Sequence, residues 1–140
     1  MARQDNLRTQ EQFGIAVNEG KLDRIRELMT DGVVDHDPAP GQGPGPDGFI
    51  RFFEKFRDAF PDLTVTGEHL VVDDDNIAIA YTFTGTHLGA FMGVPATGQK
   101  IKARAVQTAR FENGKIAERW GSSDQLGILE QIGARLSKAA

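Results

Sequence analysis

Residues 49–87 read FIRFFEKFRDAFPDLTVTGEHLVVDDDNIAIAYTFTGTH, and the spacing of their apolar side chains changes from helical to extended at Pro61. Before the proline, Phe49, Phe52, Phe53, Phe56 and Phe60 recur with Ile50 at intervals that put them on one broad helical face. Asp47 is the expected N-cap and Pro61 the stop. Such a face must be buried, as core or as the wall of a pocket, and a stripe of this kind is first of all core. After the proline the period is two. Leu63, Val65 and Leu70 to Val72 predict one strand. Asp73-Asp74-Asp75-Asn76 predicts a hairpin turn, since the twelve-residue spacing of a calcium loop is missing. Ile77, Ile79, Tyr81 and Phe83 then alternate with Ala78, Ala80, Thr82 and Thr84, so His87 ends the strand on the apolar face. His69, in the polar step Gly67-Glu68-His69, reads as a surface residue.

Working outward, residues 3 to about 19 carry a weak apolar stripe of Leu7, Phe13, Ala16 and Val17. Leu22, Ile25, Leu28 and Met29 follow helical spacing better, with Gly20 and Gly32 as punctuation. Val33 to Pro38 predicts a brief strand, and the Pro/Gly-rich run Ala39 to Pro46 a lid or connector. Toward the C-terminus, 88–99 is a Gly-containing excursion. Ile101, Ala103, Ala105, Ala109 and Phe111 alternate with Lys102, Arg104 and Arg110, and Asn113-Gly114 predicts a tight turn. A last strand, Ile116 to about Ser122, feeds a helix from Asp124 to Leu136. Helices first, then an antiparallel meander, then a closing helix predict one α+β domain over residues 1–140, its helices covering one face of a strongly curved sheet.

Composition narrows the functions. Lys plus Arg number 16 against 20 Asp plus Glu, a formal net charge of −4, so no basic footprint for nucleic acid exists. The chain has no cysteine, which excludes disulfides, thiolate catalysis and Cys-ligated metals, and it shows neither a signal segment nor a long apolar run. A cytoplasmic protein without membrane or nucleic-acid partners is expected. Phosphate-binding loops, dinucleotide fingerprints and nucleophile elbows are missing. Asp35-His36-Asp37 cannot converge on one ion, because neighbouring strand residues face opposite ways, and no metal is expected.

Two residues stand out for chemistry. His87, at the end of an apolar strand face, reads equally as a satisfied half-buried histidine and as a proton relay at a pocket rim. Asp124 precedes the helical stripe Leu126, Leu129 and Ile132 as an N-cap would. It also shares strand parity with Ile116 and Trp120, which aims its carboxylate at the apolar interior, where desolvation would make it a better base. Glu118 shares that parity and is either its partner or a cross-strand mate of Arg104 or Arg110. A cavity between the Phe face and the sheet would be walled by Phe53, Phe56, Tyr81, Phe83 and Trp120. The same parity turns Arg104 and Arg110 away from it, unless a bulge reverses the faces.

Gly85-Thr86-His87, Phe91-Met92-Gly93-Val94-Pro95, Thr97-Gly98, Arg110-Phe111-Glu112-Asn113-Gly114-Lys115-Ile116, Trp120 with Asp124, and Gln131-Ile132-Gly133 together resemble the SnoaL-like polyketide cyclases. With His36 before Pro38 and Phe60-Pro61-Asp62, the likeness runs from about Val33 to Gly133; Pro95-Ala96-Thr97-Gly98 departs from the family's Pro-Thr-Gly step. The resemblance implies a cone-shaped α+β barrel related to nuclear transport factor 2, with a curved, mostly antiparallel sheet wrapped around N-terminal helices. It also implies cofactor-free closure of a polyketide ring by intramolecular aldol condensation. The aspartate matching Asp124 would be the acid/base, and His36 and His87 would lie in or beside the cavity.

The expected enzyme uses Asp124 to remove a proton α to a carbonyl and His87 to steady the enolate. His36, Phe53, Phe56, Tyr81, Phe83, Trp120 and Glu118 would contact an apolar, planar, oxygenated ligand. Alternatives are an epoxide hydrolase or isomerase on the same cone, each short of the required carboxylates or tyrosines, and a binding module in which Asp124 is only a cap. A homodimer through the outer sheet face is expected, since that face also needs shielding.

Overall fold

A computed structural model of the protein describes residues 2–134. Helix α1 (Ala2–Glu19) is followed by a 3-10 turn at Leu22–Arg24 and the four-residue α2 (Ile25–Leu28). Strand β1 (Met29–Asp35) leads through the Pro/Gly run into α3 (Gly45–Ala59). Strands β2 (Thr64–Val72), β3 (Asn76–Thr86), β4 (Lys100–Glu112) and β5 (Lys115–Ser123) precede α4 (Gln125–Gln131). The expected extension of this last helix to Leu136 lies partly outside the described residues. What is described ends at Gln131, after which Gly133 has a positive φ of 81° and donates to Glu130 O.

The five strands form one mixed sheet in the order β1-β5-β4-β3-β2, with β1 parallel to β5 and the other neighbours antiparallel. It does not close on itself; α1 and α3 cover its concave face. Burial of Phe60, Ile25, Met29, Ile77, Ile116 and Ile128 to 2% exposure or less marks where the layers meet.

Three local readings need correction. The second helix is a single turn, because Met29 already belongs to β1 and Gly32 lies within that strand; β-pairing with β5 outweighs the helical spacing of Leu22 to Met29. Asp47 is not the cap of α3: the cap position is Pro44, and Asp47 in the first turn pairs with Arg26. The third concerns β5. Phe111 pairs with Ile116 but Arg110 with Glu118, so Ala117 is an extra residue, a β-bulge. Ile116 and Ala117 are both buried, and beyond them the faces exchange. Arg119 turns inward, while Glu118 and Trp120 turn to the convex side.

The turn after α3 is held by a carboxylate. Asp62 accepts hydrogen bonds from Thr86 Oγ1 at 2.7 Å and Thr86 N at 2.6 Å, tying Phe60-Pro61-Asp62 to the end of β3. These bonds, the hydroxyl's first, hold the Asp62 carboxyl below its ordinary value; the Asp75 and Asn76 N–H groups do the same for Asp73 in the hairpin. Carboxylates depressed in the folded state stabilise it above their unfolded values and lose that contribution as pH falls through the folded ones. Urea melts are therefore expected to lose stability below about pH 4. Asp62→Ala should be less stable than the parent at pH 7, with a shallower acid limb; parallel limbs would remove Asp62 from this account.

Candidate active site

The concave face of β2, β3 and β4 and the facing sides of α1 and α3 enclose a two-part cavity. An outer cleft of about 900 Å³ lies between α1 and the sheet. It shares Phe13, Phe53, Val65, Tyr81 and Gln107 with a narrow inner end of about 80 Å³. The inner walls are aromatic: Phe56 meets Phe83 edge-on at 5.5 Å, Phe53 meets Phe13 at 5.7 Å, and Tyr81 lies 6.3 Å from Phe83. Thus Phe53, Phe56, Tyr81 and Phe83, four of the residues the sequence points to, do face one space.

The polar groups at the inner end come from β1, β4, β5 and the Pro/Gly loop. Val33 is buried, so Asp35, two residues on, also points inward, and its side chain is only 8% exposed. Arg119, brought inside by the Ala117 bulge, donates from Nη1 to Asp35 Oδ1 at 3.1 Å and from Nε to Gln107 Oε1 at 3.1 Å. A Cβ on Gly121 would lie 2.5 Å from the guanidinium, so only glycine leaves room for Arg119 to lie over it. Gln42 Nε2 donates to Asp35 Oδ2 at 3.0 Å, and the Asp37 N–H to Asp35 Oδ1 at 3.0 Å. Burial pushes the Tyr81 phenol up, offset in part by the Arg119 guanidinium, so Tyr81 is a neutral donor at pH 7. The result is a near-neutral pair of opposite charges at the end of an aromatic cavity. It can polarise a carbonyl and accept a proton beside it. Among the described residues no three His, Asp or Glu side chains come together as metal ligands, and no helix is long and apolar enough to cross a membrane.

Comparison with known proteins bears on what such a cavity does. The family model described as SnoaL-like polyketide cyclase matches residues 8–132. The chain belongs to the SnoaL-like polyketide cyclase family. Over 125 residues it is 26% identical to the aklanonic acid methyl ester cyclase DnrD of Streptomyces peucetius, covering 84% of this chain and 83% of that one. TsrD from Streptomyces laurentii superposes with a TM-score of 0.88 at 27% identity, covering 96% of this chain and 99% of its own. IdmH from Streptomyces antibioticus does so with a TM-score of 0.80 at 31% identity, covering 92% and 99%. The fold is thus the NTF2-like α+β cone of the SnoaL-like proteins, here with an open sheet.

In this SnoaL-like chain the other residues singled out from sequence lie outside the cavity. Asp124 is exposed and caps α4, its Oδ1 accepting from Gly127 N at 2.9 Å, and it does not line the cavity. The parity that aimed it inward was reversed at Ala117. The same reversal places Trp120 and Glu118 on the convex face. There His36 stacks on Trp120 at 4.5 Å and bonds Glu118 Oε1 through Nε2 at 3.0 Å, while Arg110, then His36, keep the Glu118 carboxyl low. His87 is fully buried but sealed off. The 88–99 loop folds over it through Gly98 N to His87 O at 2.8 Å, and Phe60 packs against its ring at 5.6 Å, between it and the cavity. Its Nδ1 accepts from Thr97 N at 3.2 Å, which leaves the ring proton on Nε2. The sequence reading missed Asp35, Gln42, Gln107 and Arg119. Alternation from Val33 would have found Asp35. No local signal marks Arg119; a bulge does bring an arginine inside, on β5 and not at Arg104 or Arg110.

Proposed function

We propose that this SnoaL-like chain closes a ring on a planar, oxygenated, largely apolar substrate by intramolecular aldol condensation, without a cofactor, with Asp35 as the base. The observation that carries the reading is the Asp35–Arg119 pair at the inner end of a cavity whose largest wall is the Phe13, Phe49, Phe52, Phe53, Phe56, Tyr81 and Phe83 rings. Asp35 takes a proton from a carbon between two carbonyls, and the electron pair moves onto the enolate oxygen. Arg119 and the Tyr81 hydroxyl stabilise that oxygen in surroundings that exclude water. The carbon then attacks a second carbonyl of the same molecule, the new C–C bond forms as the C=O π bond breaks, and the alkoxide takes the proton back from Asp35. A 1,3-dicarbonyl unit makes this feasible for a carboxylate, because both carbonyls share the charge of the enolate. The inner end, lined by Asp35, Asp37 and Arg119, has no surplus of positive charge, which favours an uncharged ligand over a phosphorylated one.

The name of the DnrD relative supplies the probe. Incubated with aklanonic acid methyl ester in D₂O with chelator and no added cofactor, the protein is expected to produce a cyclised isomer, heavier than the ester only by the deuterium it takes up. Deuterium should enter at the carbon between the carbonyls. Absence of both products for this ester and for other polyketide 1,3-diketones would count against the reading. A binding module without turnover is the second reading. It is favoured by the three donors already on the Asp35 carboxylate, from Arg119, Gln42 and the Asp37 N–H; probe binding with no deuterium uptake would select it.

A further inference from the structure

We propose that His36 is a positioning residue for Asp35: clamped on the convex face between Glu118 and Trp120, it fixes the end of β1 so that the Asp35 carboxylate stays on Arg119. The inference rests on the reading of Asp35 as the base, and it adds what keeps that base in place.

Strand β1 lies at the edge of the sheet, and its ladder to β5 is broken. Met29 pairs with Ile116 and Val34 with Glu118, so five steps along β1 match two along β5 and the residues between leave the ladder. The strand rejoins β5 only at Val34 and Asp35 and through the His36 N–H, which donates to Arg119 O at 2.9 Å. The next N–H, that of Asp37, goes to Asp35 Oδ1, and Pro38 has none to give. So short a re-entry is a weak hold for a general base, where a shift of about 1 Å is enough to cost about a hundredfold in rate.

Side chains supply the rest of the hold, and neighbouring residues of β1 do so on opposite faces. Inside, Asp35 meets Arg119. Outside, His36 lies against the two residues that flank Arg119 in β5. Its ring stacks on Trp120 at 4.5 Å with the planes 8° apart, and its Nε2 donates to Glu118 Oε1 at 3.0 Å. The ring is thus held by its face and by its edge at once. Glu118 is itself fixed, because Arg110 Nε donates to its other oxygen while Arg110 Nη1 donates to Glu112 at 2.8 Å. The clamp therefore runs from β1 across β5 to β4. An imidazole carries a proton on Nε2 both as the imidazolium and as one neutral tautomer, so the bond to Glu118 requires no particular charge state. Half-exposed contacts of this kind add little to global stability. What they restrict is local, the place where β1 ends.

The test compares the intact chain with His36→Ala, His36→Gln and the double variant of His36→Ala with Asp35→Asn. Turnover is read with aklanonic acid methyl ester, local order by amide exchange, and the stack by the emission of Trp120, the single tryptophan. His36→Ala is expected to melt within about 2 °C of the parent and to shift the Trp120 emission to the red. The Asp37 and Gly121 amides, which donate to Asp35 and Asp37, should exchange at least about tenfold faster in it, with the β3–β4 ladder unchanged. Its kcat should fall about tenfold or more while KM stays within about twofold, since the base is displaced and the cavity is not. In the Asp35→Asn background the same substitution should lower the rate no further, because no base is left to position. His36→Gln, whose planar amide can donate to Glu118 and lie on the indole, should recover most of the rate. A parent-like kcat in His36→Ala, a rise in KM alone, or an additive loss in the Asp35→Asn background would overturn the positioning role. A His36→Gln as poor as His36→Ala would overturn it in favour of the imidazole itself. Unchanged amide exchange at Asp37 and Gly121 in His36→Ala would overturn the clamp, and that measurement needs no turnover. A parent that takes up no deuterium removes the aldol reading and leaves the exchange data to decide the clamp.

Discussion

Asp35→Asn is expected to lower the rate of α-proton exchange and of ring closure about a thousandfold, the usual contribution of a positioned general base. Asparagine keeps the size of the side chain, and its carbonyl oxygen can still accept from Arg119 or the Asp37 N–H, but it cannot take a proton. The control is Asp124→Asn, expected to keep both stability and rate, since asparagine caps a helix as well as aspartate does and the side chain does not line the cavity. The pair decides between two carboxylates. Loss of rate in Asp124→Asn with an active Asp35→Asn would return the chemistry to the mouth of α4. Aklanonic acid methyl ester should still bind Asp35→Asn, which separates a lost base from a lost site.

Phe60→Ala is expected to be the most destabilising single truncation on the phenylalanine face. Its ring is fully buried and meets Phe56 at 5.5 Å, Phe91 at 5.3 Å and His87 at 5.6 Å. Emptying such a site costs about 3–5 kcal/mol, a large part of the stability of a domain this size. The midpoint of thermal unfolding should fall by about 10 °C or more. Removing Phe60 also unroofs His87, so amide exchange in the 88–99 loop should quicken in this variant. Phe56→Ala is the contrast. Its ring is only partly buried and lines the cavity, so it should cost less stability and more ligand affinity. Equal stability losses in the two variants would mean that the face is core throughout and forms no wall.

That contrast separates what is legible in a linear sequence from what is not. Helical spacing shows that residues 49–60 have one apolar face, and it cannot divide that face between packing and cavity. The division depends on which rings oppose the sheet and which oppose open space. The hairpins at Asp73 to Asn76 and at Asn113-Gly114 were legible because turn chemistry is local. His87 was legible as an inward-facing residue. Its enclosure was not, since it needs the 88–99 loop to fold back and Phe60 to arrive from another element.

From the sequence alone follow the element order, the α+β class and the concave aromatic face; Asp35, in phase with the buried Val33, was open to the same alternation and went unread. The tertiary structure alone decided the rest of the site, through a single residue. In Lys115 to Asp124 a period of two carries Ile116, Glu118, Trp120 and Asp124 inward. Pairing with β4 inserts Ala117 as a bulge and exchanges every later side chain for its neighbour. Arg119 thereby enters the cavity, and Trp120, Glu118 and Asp124 leave it. Nothing in the local composition announces the insertion. It is set across the sheet, where Ile116 and Ala117 are both buried opposite Phe111 while Arg110 reaches Glu118 on the solvent side.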